Sequence, residues 1–392
     1  MSRNLSLKLR YGLLLILLGL IAFLEARQPF ASFRLVSFIL AFLALACSAS
    51  LLRGKWRDGF VVMTSLAFGL SFVETIAVIF DSRSLPVLAK GFTVPQPVIG
   101  LGPEHAGRFH SEKTNRKSGG QIYSVDYTID SNLLRETKSI DTGPTIAFFG
   151  DSFTFGEGLN DADTLPQRFA DLLDRKQRVL NLGYPAYGPQ QFLAELQTGR
   201  FDKVIGEQPR LFIFQTAAGH AERTSCKPFW VRRWPRYELE NGEVVLKGTC
   251  HDGPTQGIRV WIEHMASFRL FVEPYLQRIT HDDVELYIRI LLAATKLAKE
   301  KYGVATLIPY SQTLGSRYLD GTGFTDDEIV QRLREGGAMV VDVSLAKEEA
   351  AGAPVTIKGD GHPTALANRL KASILKEYIE QHVPGILVAD LQ

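Results

Sequence analysis

Apolar positions crowd the first 80 residues into three long runs, and beyond them the chain settles into short alternating blocks. The runs are Tyr11 to Leu24, Phe33 to Leu52 and Phe60 to Phe80. The second and third, broken by charge only at Arg34 and Glu74, are long enough to span a bilayer as helices. The first is shorter. It spans if Lys8, Arg10 and Arg27 snorkel, or it is a signal-peptide core; with no small-x-small cleavage site after it, a retained helix is favoured. Arg3, Lys8 and Arg10 precede the first run and Arg53, Lys55 and Arg57 separate the second from the third, whereas Glu25 to Ser32 holds only Arg27. By the positive-inside rule the N-terminus lies inside and everything past Phe80 lies outside. Glu74, about two turns short of Asp81, is expected to snorkel or pair at the outer interface.

From Thr145 onward strand-like and helix-like patterns alternate. Strand Ile146–Phe149 is followed by helix Asp163–Arg175, strand Val179–Leu182 by helix Pro189–Arg200, and then comes strand Leu211–Gln215. After an insertion at about Thr224 to Thr280 come helix Asp282–Tyr302, strand Val304–Pro309, helix Thr325–Glu335, strand Met339–Val343 and a last helix, Pro363–His382. Such alternation predicts a parallel sheet flanked by helices. The chain thus divides into a membrane region (1–80), an extended leader (81–144) and an α/β domain (145–392) with its insertion. The leader has no clear period: Pro86, Pro95, Pro97 and Pro103 suggest extended chain, Tyr123 to Asp130 alternates enough for a strand, and the basic stretch Arg108–Lys117 reads as a solvated loop.

Candidate chemistry gathers at two ends of this domain. In Gly150-Asp151-Ser152 the serine sits in the turn between a buried strand and a helix, where a hydroxyl stands at the sheet edge near free backbone N–H groups. Asp360-Gly361-His362 opens the last helix and puts a carboxylate and an imidazole on one loop. These are the residue types of a Ser-His-Asp hydrolase or acyltransferase.

The chain here resembles the SGNH (GDSL-like) hydrolases over roughly Thr145 to His382. Gly150-Asp151-Ser152, extended by Phe-Thr-Phe-Gly, matches the first block and implies Ser152 as nucleophile. Asn181-Leu-Gly183-Tyr-Pro-Ala-Tyr-Gly188 is similar to the second block, in which a glycine N–H joins the oxyanion hole, and Gly183 is the choice here. Asp360-Gly-His362-Pro is similar to the last block, with His362 as base and Asp360 as its partner, one residue tighter than the usual Asp-x-x-His. The third block departs: Thr216-Ala-Ala-Gly219-His220-Ala-Glu222-Arg223 stands where the family has Gly-x-Asn-Asp. Either His220 supplies the missing donor to an oxyanion hole shared with the Ser152 and Gly183 backbone, or His220, Glu222 and Arg223 form a structural cluster. The resemblance implies a flavodoxin-like three-layer α/β/α sandwich, preceded here by the transmembrane helices, and the activity of a serine esterase with no cofactor.

Composition narrows the partners. A formal charge of +2 over 392 residues, with no Gly-rich phosphate loop, Cys/His metal-ligand spacing or basic helix, argues against nucleic-acid, nucleotide and metal chemistry. Cys47 lies within a span, while Cys226 and Cys250 flank a hairpin-like stretch, Tyr237–Leu246, whose Asn241-Gly242 is a strong turn signal. A disulfide between them suits an extracytoplasmic domain, and two free thiols are the alternative. Trp230, Trp234 and Trp261 make the insertion aromatic, either for stacking on sugar rings or as a small satellite core. The expected substrate is an O-acyl, chiefly O-acetyl, ester of an envelope or exported glycan, or a small ester, met on the periplasmic side of the plasma membrane. Two alternatives stay open: acyl transfer to an exported polysaccharide, which with only three spans requires a transmembrane acyl-donor partner, and a non-catalytic glycan-binding scaffold.

Overall fold

A computed structural model describes residues 2–28, 32–81, 87–88, 90–115, 117–312 and 317–387; Pro86 and Arg116 lie outside them. The chain forms two compact units, one of residues 1–83 and 253–277, the other of residues 84–252 and 278–392.

In the first unit, helices α1 (Ser2–Arg27), α2 (Phe33–Leu51) and α3 (Gly54–Phe80) are long and apolar enough to cross a membrane. The first apolar window is 22 residues, Ser6–Arg27, longer than the apolar run alone suggests, because Lys8 and Arg10 are carried within the helix. Three short helices, Gln256–Glu263, Ala266–Phe271 and Glu273–Leu276, complete this unit. The insertion is therefore divided: residues 224–252 fold with the α/β unit, and residues 253–277 fold with the apolar helices.

The second unit is built on five parallel strands, β1 (Thr145–Phe149), β2 (Arg178–Asn181), β3 (Pro209–Phe214), β4 (Ala305–Ser311) and β5 (Met339–Asp342). Their order across the sheet is β2-β1-β3-β4-β5, the flavodoxin-like arrangement. All five residues of β1 are buried because both faces of the sheet are covered. Ile146 and Phe148 pack with Leu165, Phe169, Leu375 and Ile379 of helices Leu165–Asp171 and Ala365–His382. Ala147 and Phe149 face the other way, into a core with Phe192 of helix Pro189–Thr198 and Leu291 of helix His281–Tyr302. The unit is a three-layer α/β/α sandwich. Side-chain caps set the helix starts one or two residues from where periodicity places them: Thr164, Thr280, Thr325 and Thr364 each accept a hydrogen bond from a first-turn N–H.

The leader is a packed element of this unit. Gly107–Thr114 and Gln121–Ile129 pair as an antiparallel hairpin. Residues 108–114 of the basic stretch expected as a solvated loop thus lie in its first strand: Phe109 and Ser111 point inward, while Arg108 and His110 face outward and both bind Asp126. Phe92, Phe109 and Tyr127 pack with Phe155, Tyr184 and Tyr187 of the two loops that follow β1 and β2. In the insertion, Pro235–Glu240 and Glu243–Thr249 pair across Asn241 and Gly242, both at positive φ, and a disulfide joins Cys226 to Cys250.

Candidate active site

Where β1 ends, the chain must turn sharply to start a one-turn helix, Ser152–Phe155. Gly150 makes this turn with φ 150°, and a Cβ there would lie 2.3 Å from Thr154 Oγ1, so no side chain fits. Asp151 caps the helix, accepting a hydrogen bond from Phe153 N at 2.9 Å, and Ser152 is left at the carboxyl end of β1. Strand order reverses on either side of β1, which makes this the switch-point crevice of the sheet.

The loop before the last helix reaches the same place. Gly359 and Gly361 take φ of 82° and 94°, and Asp360 N and Gly361 N both donate to Ile357 O. This tight turn lets the Asp360 carboxylate fold back over one residue onto His362, accepting from its backbone N–H at 3.3 Å and from ring Nδ1 at 2.5 Å. With Nδ1 donating to Asp360, Nε2 accepts the Ser152 hydroxyl at 2.8 Å. The tighter Asp-x-His spacing thus still reaches the imidazole.

Beyond Asp360 the chain of contacts continues to Lys113, whose ammonium donates to Asp360 Oδ1. Lys113 extends from the inward side of the leader hairpin and is 247 positions away in sequence. Burial pushes the Asp360 carboxyl up, but hydrogen bonds from His362 and Lys113 outweigh it and hold the group at about 2. For His362 burial works downward, and the bond to Asp360 with the charges of Glu157, Asp360 and Asp151 raises the imidazole above its ordinary value. Glu157 sits 3.6 Å from His362 Nε2 through Oε2, and burial raises its own carboxyl. Phe153 stands edge-on to the His362 ring at 5.5 Å, and Lys371 lies over the Phe153 ring. Burial draws the Lys371 ammonium down to about 8.

His220 does not meet Ser152 as a donor. Its Nε2 is 3.0 Å from Asp151 Oδ2 and its Nδ1 is 2.9 Å from Thr216 Oγ1, so both ring nitrogens are engaged. Arg223 donates to the same Asp151 oxygen at 3.0 Å and to Tyr187 O at 2.6 Å. Burial opposes ionisation of Asp151, yet His220, Arg223 and Phe153 N together keep its carboxyl well below the usual range. His220 and Arg223 therefore anchor the turn that carries the serine. Gly183 is wedged against the serine helix, where a Cβ would lie 2.8 Å from Phe155 N. Its N–H donates to Asn181 Oδ1 at 3.1 Å, and Asn181 Nδ2 donates to Thr154 O. Asn181, Glu157 and Lys113 are the neighbours of the site that the motifs do not single out. Asn181 opens the quoted second block and Glu157 directly follows the first, while nothing local marks Lys113. Among the described residues no group of three or more His, Cys, Asp or Glu side chains is arranged to hold a metal ion.

No family model and no curated protein matches the chain. Solved structures do show likenesses. One is a member of the lipolytic protein G-D-S-L family from Veillonella parvula, 16% identical, covering 60% of this chain and 97% of its own, at a TM-score of 0.37. Another is a carbohydrate acetylesterase family member from Sinorhizobium meliloti, 12% identical, with 61% and 98% covered and a TM-score of 0.33. A third is the SGNH-hydrolase family esterase AlinE4, 16% identical, with 63% and 100% covered and a TM-score of 0.33. Likenesses of this strength assign neither chemistry nor substrate; the chemistry is argued from the distances above.

Proposed function

We propose that the protein is a membrane-anchored serine ester hydrolase, acting through an acyl-enzyme on Ser152. The observation that carries this reading is the unbroken chain Lys113–Asp360–His362–Ser152, which leaves Nε2 of a correctly oriented imidazole on the serine hydroxyl. His362 takes the Ser152 proton as Oγ attacks the ester carbonyl, and Asp360 stabilises the imidazolium that forms. His362 then returns the proton to the departing alkoxide, and a water molecule activated by the same nitrogen hydrolyses the acyl-serine. The Ser152 N–H is the first oxyanion donor, and the Gly183 N–H becomes the second when the developing oxyanion displaces Asn181 Oδ1. The substrate is an O-acyl ester, O-acetyl first among them, of a glycan on the outer side of the plasma membrane; the basic residues flanking α1–α3 support that side for the α/β unit.

One observation favours acyl transfer as a second reading. The Gly183 N–H is occupied and His220, which stands where the third-block Asn would, is bound to Asp151 and Thr216, so full activity awaits an acceptor or a partner that reorders Asn181. The test is release of p-nitrophenol from p-nitrophenyl acetate by the detergent-solubilised full chain. A burst followed by turnover, absent in Ser152→Ala, supports hydrolysis. A burst without turnover, relieved by an added glycan, supports transfer. No serine-dependent burst removes both.

A further inference from the structure

We infer that residues 253–277 are an interfacial membrane element, docked against the ends of α2 and α3 and facing lipid with their apolar side; this rests on the reading of α1–α3 as spanning helices. The first observation is depth. His264 packs on Phe33 and Trp261 on Phe38, while Ala266 N and Ser267 N donate to the Glu74 carboxylate at 2.7 and 3.0 Å. At 1.5 Å per residue, Phe38 lies about 8 Å from the start of α2 and Glu74 about 9 Å from the end of α3. These are neighbouring ends of an antiparallel pair. A helix of 19 residues covers about 28 Å, close to the roughly 30 Å hydrocarbon core, so α2 has no length to spare above the bilayer. The Phe33 contact therefore falls at the headgroup boundary and the Phe38 contact, more than a turn down, below it.

The second observation is how polar groups are handled. Two first-turn amides of helix Ala266–Phe271 would lack partners in lipid, and Glu74, itself 1% exposed, accepts from both and from Ser267 Oγ. The acid expected to snorkel or pair at the outer interface thus caps a helix there. Arg269 pairs with Asp81 at 3.0 Å and donates to Glu263 O, and Arg34 pairs with Glu25 beneath the Trp261 ring. Apart from Gln256 and Gly257 at the start of the first, what these helices leave outward is apolar: Ile258, Trp261, Phe271, Val272, Tyr275 and Leu276 are all exposed. Continuity with the lipid-facing surface of α3, to which Ser71, Glu74 and Ala77 contribute only its buried side, selects a bilayer as the occupant.

The test places a single cysteine at Ile258, Phe271 or Tyr275 of the full chain in a Cys47→Ser background, labels it with bimane and reconstitutes the protein in phosphatidylcholine vesicles. Leu66→Cys, exposed at mid-helix in α3, and Glu240→Cys, exposed in the 235–249 hairpin, serve as lipid and water references. The expected result is loss of fluorescence with shallow spin-labelled lipid and little loss with aqueous iodide at all three positions. Iodide quenching there, with Leu66→Cys quenched by lipid, overturns the inference while the spanning helices stand. Shielding from both quenchers overturns it too, because protein then covers the face. A Leu66→Cys probe that lipid does not quench removes the spanning reading, and the inference with it.

Discussion

Replacing Glu157 by glutamine keeps shape and hydrogen-bonding capacity while deleting the charge nearest the reactive nitrogen of His362. At 3.6 Å, a full carboxylate interacts with an imidazolium by about 1 kcal/mol in water and between 4 and about 5 kcal/mol at an effective dielectric near 20. Each 1.4 kcal/mol is roughly one pH unit, which brackets the effect between about 1 and 3 units. The lower end is the better guide, because burial raises the Glu157 carboxyl and so works against its ionised form. The sign follows from the role of His362. It acts as a base only when neutral, so activity rises with pH through its raised value. Glu157, Asp360 and Asp151 all favour the imidazolium, and removing Glu157 lowers the pH at which His362 becomes available. Glu157→Gln is thus expected to move the acid limb of kcat/KM for p-nitrophenyl acetate down by about 1 unit or more. Its plateau should fall several-fold, since the same charge stabilises the imidazolium of the transition state. An unmoved or upward-moved acid limb, in a protein of unchanged melting temperature, would refute this electrostatic account.

Lys113→Met should move that limb the opposite way, because a cation near the imidazolium is lost, and Lys113→Arg should restore it. Holding Asp360 at about 2 contributes about 2 kcal/mol of stability above its ordinary pKa that is lost as pH falls through about 2, so the methionine variant, lacking one of two partners, should be about 1 kcal/mol less stable at pH 7 and should converge on wild type only at about pH 2 and below in thermal melts. Asp151→Asn leaves the Arg223 cation without its buried partner and should destabilise by about 3 kcal/mol at pH 7, read as a lowered melting temperature and a lost burst. Because the Asp151 carboxyl is depressed in the folded protein, this difference should shrink below about pH 4. Intact mass of unreduced, alkylated protein should show one reactive thiol, Cys47, and three after reduction; alkylation of Cys226 and Cys250 without reductant would contradict the bond seen here.

Much of the fold was legible because its signals are local. Ile146 to Phe149 is a run buried on both faces, the Gly-Asp-Ser turn follows at once, and strands and helices then alternate with the periods their burial requires. The parallel sheet flanked by helices follows from that alternation, and its flavodoxin-like form from the resemblance carried by the motif blocks. The Ser152, Asp360 and His362 candidates were readable for the same reason, each lying in a turn beside a regular element. Other features depend on partners distant in sequence. Lys113 sits in a stretch whose charges look solvated, and only pairing of the hairpin turns it toward Asp360. His220 carries no local sign that Asp151 and Thr216 claim both its nitrogens. Glu74 and Ser267 are 193 positions apart, so neither the cap nor the division of the insertion could be seen from Trp261 and its neighbours alone. The Gly183 N–H illustrates a finer limit: the motif locates the amide, but the Asn181 rotamer decides what it binds.

The central claim is that Ser152 is a nucleophile activated by His362 and Asp360. Its most direct measurement is the intact mass of the full chain after exposure to a fluorophosphonate, with the adduct located by peptide mapping. A single adduct on Ser152 is expected, absent in Ser152→Ala and formed at least about tenfold more slowly in His362→Ala, where the general base is gone. No adduct, or one of equal rate when His362 is removed, would contradict the account.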